Sequence, residues 1–266
     1  MLDVRFGRVT MQLITSLSVA SALSGDVTAV GASKPLLALR GGDARIWTGG
    51  CVAAAAGAHT WIAPRATLKV LGLDADDDAA SIAKFAGAYQ IVFAVAVLAP
   101  PAAAATYAYA AFLVHVLIHL QSVYPYWAMP VWYHGLWLAI ACGLAAFPYK
   151  IPVWSHATLL PTAALCICAP QFAARWIAAF TKSSSNQVVA MWSYAGSVFL
   201  AIMAYLVGLM CGFSQARALA AAWLLKAACS IHFTVRWSDR IGMPKAGNYL
   251  WAALSLFFAG SALAGR

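Results

Sequence analysis

A chain of 266 residues that is 63% hydrophobic and only 9% charged departs far from the roughly 45–50% apolar and 25% charged content of soluble domains, which argues against a water-soluble fold. Its net charge of +9 would suit nucleic acid in a soluble protein, but the basic residues stand singly at the ends of apolar stretches. Membrane topology and surface charge account for them there, with the lipid bilayer as partner and no nucleic acid.

Residues 1–42 read differently from the rest. Arg5 and Arg8 precede the apolar run Leu13–Leu23, too short to span a bilayer and suited to a signal-peptide core. Downstream, Ser33-Lys34-Pro-Leu-Leu-Ala-Leu-Arg40-Gly-Gly42 is basic and rich in small residues. It resembles the second part of bipartite plastid-targeting leaders in algae, which implies an organelle membrane, possible removal of the segment, or a plain N-terminal arm.

The rest is punctuated by charge-free windows, one of which runs 65 residues between Lys84 and Lys150, where about 20 suffice for one span. The expected spans lie near 46–63, 82–98, 103–122, 128–147, 155–180, 188–211, 217–235 and 246–264. Pro100-Pro101 separates the second from the third, since paired prolines remove two amide donors and favour extended backbone. The first inter-span loop carries Asp74, Asp76, Asp77 and Asp78; without the alternating ligands and Gly of a calcium loop, it reads as a solvated surface. The predicted fold is therefore an all-α polytopic transmembrane bundle of about eight spans.

Matching segments divide the bundle into two four-helix halves, 43–150 and 151–266. Phe85-Ala86-Gly87 opens the second span and Tyr194-Ala195-Gly196 lies in the sixth; Met129-Pro130 with Leu136-Trp137 answers Met243-Pro244 with Leu250-Trp251 at an offset of 114. Such matches point to an internal repeat of even span number, with the halves related by an axis along the membrane normal. Counting Lys and Arg outside the leader places eight on the side of the odd-to-even loops and four on the other, which puts both termini on the non-cytosolic side. The course from the first span through Pro64 and Leu71-Gly-Leu-Asp74 to an aromatic-Ala-Gly resembles small four-helix membrane proteins of the DoxX-like kind. That resemblance covers about forty residues of the first half and implies a compact four-helix bundle with little defined chemistry.

The candidate cofactor-binding residues are His115, His119 and His134. The first two are four apart, hence on one helix face. Across a hairpin turning near Pro125, His115 and His134 come to matching depths of roughly 13–15 Å. Three neutral imidazoles suit a transition metal, a haem or a magnesium-centred pigment, although which metal or cofactor is unknown; the alternative is an imidazole hydrogen-bonded to a Tyr, Ser or carbonyl on a neighbouring helix. Lys226 is the one cation midway along an expected span, to be paired with carbonyls or snorkelling to the surface. Tyr and Trp residues crowd the span ends, as interfacial belts do.

The six cysteines, Cys51, Cys142, Cys166, Cys168, Cys211 and Cys229, all lie in apolar stretches. They read as packing residues, with neither a disulfide framework nor metal spacing. No H-E-x-x-H is present, only one histidine box exists, and no span contains Asp or Glu. That pattern points away from an enzyme and from a proton-coupled transporter. The leading reading is a non-catalytic accessory or assembly subunit working with other membrane subunits. A carrier or binder of a small or lipophilic solute, and a His-ligated cofactor or pigment protein, are the alternatives.

Overall fold

The computed structural model describes residues 44–74, 76–122, 131–150, 153, 156, 159–172 and 186–264. The leader reading of residues 1–42 and the aromatic cluster Tyr124, Tyr126 and Trp127 lie outside the described residues. Every regular element among those described is a helix. The longer ones are α1 (Ala44–Ile62), α3 (Asp77–Leu98), α4 (Ala104–Ser122), α5 (Val131–Ala146), α6 (Leu159–Cys168), α7 (Asn186–Met210), α8 (Gln215–Arg236) and α10 (Lys245–Ala264), with short helices α2 (Pro64–Val70) and α9 (Ser238–Ile241) between.

Among the described residues, five stretches are long and apolar enough to cross a membrane: Asp77–Leu98, Pro101–Ile118, Asn186–Met210, Gln215–Arg236 and Lys245–Ala264. An integral membrane protein requires such segments, because hydrocarbon forces each backbone amide to find its partner within the helix. Their outward faces agree: Leu224, Ile231 and Val235 on α8 and Leu256 and Phe257 on α10 are exposed, an apolar surface that water would not tolerate over such an extent.

Local chemistry sets the helix ends. Asp76 caps α3, its carboxylate accepting from the Ala79 amide at 2.6 Å, so part of the acidic cluster is a helix cap and not only a solvated surface. Pro100 and Pro101 end α3 and open a 3-10 turn, Pro101–Ala103, that leads into α4. α2 was not foreseen: Pro64 stands in its first turn, where a missing amide hydrogen costs nothing. It is pinned at the other side by the ion pair of Arg65 with Asp77.

Packing follows a repeated pattern. α1 packs on α3, α3 on α4 and α4 on α5; likewise α6 packs on α7, α7 on α8 and α8 on α10. α3 against α7 joins these series, and α1 also touches α10. Helices α1, α3, α7, α8 and α10 therefore close a ring. The tightest helix crossings rely on residues without side chains. A Cβ at Gly87 would sit 2.8 Å from the Gly57 carbonyl oxygen, and a Cβ at Gly196 2.5 Å from Cys166 Cβ. Backbones that approach so closely gain dispersion contact, which drives helix association where lipid removes the hydrophobic incentive.

Candidate ligand cavity

The ring encloses a cavity of about 370 Å³, within the range of small-molecule sites. α1, α7, α8 and α10 supply its walls, and Thr67, Val70 and Leu71 of the α2 segment line one end. Most of the lining is apolar or aromatic. Of the lining residues only Ala55 and His59, both on α1, are exposed; the cavity meets the surface along that helix. The His59 Nδ1 lies 3.2 Å from Thr67 Oγ1, tying the end of α1 to α2.

Lys226 reaches this cavity from α8 and is 2% exposed. Its Nζ stands over three rings: Tyr194 at 5.3 Å, Trp251 at 5.6 Å and Trp223 at 5.9 Å from the centroids. Aromatic faces attract a cation through their quadrupoles. Neither ion pair found among the described residues, Arg65 with Asp77 and Lys245 with Asp239, involves it. The lysine thus does not snorkel, and among the described residues no carbonyl stands at hydrogen-bond distance from it; it stands among three rings beside the cavity. The lining contains no Asp or Glu.

His115 is buried on α4 among rings of the neighbouring helix, with centroid distances of 4.8 Å to Phe85 and 5.7 Å to Tyr89, and 6.3 Å to Phe112 on its own helix. It does not line the cavity. His119 lies in α4 and His134 in α5, two helices that pack together, but both side chains lie outside the described residues. Among the described residues no group of three or more His, Cys, Asp or Glu side chains is placed to hold a metal ion. All six cysteines are free thiols.

A histidine that sequence reasoning passed over is satisfied structurally. His156 is fully buried; its Nε2 donates to the Pro148 carbonyl at 3.1 Å, and its Nδ1 shares a hydrogen bond with the Tyr109 hydroxyl at 2.6 Å. The carbonyl can only accept, which places a proton on Nε2. The other members of the cavity that sequence reasoning missed are Tyr194, one of the rings beside Lys226, and His59, at the opening. Neither carries a local signal for that role, because each becomes a neighbour of the site only through helix packing.

Comparison of the chain with protein-family models, with curated proteins and with solved structures returns no match.

Proposed function

We propose that this protein is a membrane-embedded binder or carrier of a small lipophilic solute. The observation that carries this reading is the 370 Å³ cavity held inside a closed ring of helices and walled mainly by apolar side chains. A bundle serving only as an assembly subunit gains from filling such a space, since unfilled volume forfeits dispersion contacts. The cavity therefore shifts the balance from accessory subunit to binder.

The architecture proposed beneath this function is eight spans in two parallel four-helix halves. Two sets of contacts support it beyond the five membrane-length helices. Gly57 and Gly87 at the α1–α3 crossing correspond to Cys166 and Gly196 at the α6–α7 crossing, both at an offset of 109. Phe85, Phe112 and His115 cluster on α3 and α4 as Tyr194, Trp223 and Lys226 do on α7 and α8. In that correspondence the two buried basic side chains are equivalent.

Purification in mild detergent, followed by mass spectrometry of extracted small molecules, tests the function. A stoichiometric hydrophobic compound is expected with the native protein and lost in Ser230→Phe, which places a ring in the cavity from a half-buried lining position. A native protein that carries no such compound and takes up none, or a Ser230→Phe variant that retains it, overturns the reading.

A further inference from the structure

Lys226 brings a positive charge into the cavity without bringing an anion. Placing a lysine at the centre of a membrane helix is costly even on the most lenient scale. Cation–π contacts with the three rings at 5.3–5.9 Å offset part of that cost. Lys226 lines the cavity together with two of those rings, Tyr194 and Trp251. No lining residue is acidic. Of the carboxylates on the loops, Asp74 accepts from Gln187 at 3.3 Å, Asp76 caps α3, Asp77 pairs with Arg65, and Asp239 accepts from Lys245 at 2.7 Å.

From this geometry we infer that the ligand is an amphiphile with one negative charge, a fatty-acid-like carboxylate whose head pairs with Lys226 and whose single chain fills the apolar remainder. This rests on the binder reading above and names its ligand class. One ammonium balances one anion, which favours a carboxylate over a doubly charged phosphate. The volume of 370 Å³ sits near the low end of ligand sites, about 300–1,000 Å³, and accommodates one chain, not the two of a phospholipid. Ser193 and Tyr194 of α7 line the same cavity as Lys226, and a hydroxyl of either could serve as donor to the second carboxylate oxygen. A charge-assisted hydrogen bond in so dry a site is stronger than its counterpart in water.

The test uses the full chain in nanodiscs of neutral phosphatidylcholine, with cis-parinaric acid as fluorescent probe and its methyl ester as the uncharged match. The acid is expected to bind saturably to the native protein and to be displaced by oleate. Lys226→Met should weaken the acid at least about tenfold, or 1.4 kcal/mol, and leave the ester unchanged; Lys226→Arg, which keeps the charge, should retain most of the affinity for the acid. Equal binding of acid and ester by the native protein, or an undiminished acid affinity in Lys226→Met, overturns the anionic assignment while the binder reading stands. Displacement by phosphatidic acid but not by oleate overturns the carboxylate in favour of a phosphate head. Saturable binding of neither probe overturns the fatty-acid ligand, and the compound extracted from the native protein then decides separately whether the binder reading survives.

Discussion

Lys226 is the residue whose removal says most about the unliganded protein. Its ammonium stands among rings in a cavity whose lining has no acid, so replacing it with Met, of similar length and no charge, removes a desolvation cost and keeps the packing. The expected outcome for Lys226→Met is a higher thermal midpoint in detergent after delipidation. A lowered midpoint would mean that the charge is compensated without ligand. The crossing glycines behave in the opposite way. Gly87→Val drives a branched side chain into the Gly57 carbonyl, 2.8 Å from its Cβ alone, and should destabilise by about 1–3 kcal/mol. Gly247→Ala, with open space around it, should be neutral or stabilise by up to about 1 kcal/mol; a thermal-shift comparison of the two variants checks the pair. Lys226 was legible in the sequence because a cation stands out in a charge-free window. Its partners were not: Tyr194 and Trp251 sit on α7 and α10, and the order of residues along one helix says nothing about which helix faces another.

The five helical stretches long and apolar enough to cross a membrane stand close to windows expected from charge gaps and prolines, because membrane helices must be apolar over their length and prolines interrupt them at predictable cost; α6, described over Leu159–Cys168, covers only part of its expected window. The short α2 escaped such reasoning. Its seven residues, Pro64–Val70, are too few for an apolar period to declare itself, and it holds through tertiary contact with α1 and α3. At the α2–α3 joint, cap and ion pair separate cleanly by experiment. Asp76→Ala removes the acceptor for the Ala79 amide and should cost about 1 kcal/mol. Asp77→Ala removes an ion pair whose side chains are 65% and 72% exposed, and pairs that wet contribute about 0.2–1 kcal/mol or nothing measurable. Thermal melts in matched detergent should show the larger drop for Asp76→Ala. The reverse order would make the ion pair, and not the cap, the anchor of α2.

For the molecule as a whole, the proposed eight spans require the two ends to share a side. Protease-cleavable tags placed just ahead of α1 and after Arg266 should show the same accessibility in sealed vesicles; tags on opposite faces would reduce the count to an odd number. The proposed duplication is only partly legible in the sequence because its offset drifts. It is 109 at the glycine crossings and 114 at the Met-Pro segments, and a single fixed period catches only one of them. Lastly, the exposed lining residues of the cavity are Ala55, in the middle of α1, and His59, in its last turn. A solute that leaves past Ala55 would partition into hydrocarbon, not into water. Occupancy should then follow the mole fraction of solute in the bilayer, so that adding empty lipid at constant total solute drains the site, whereas changing the aqueous volume leaves it nearly as full as before.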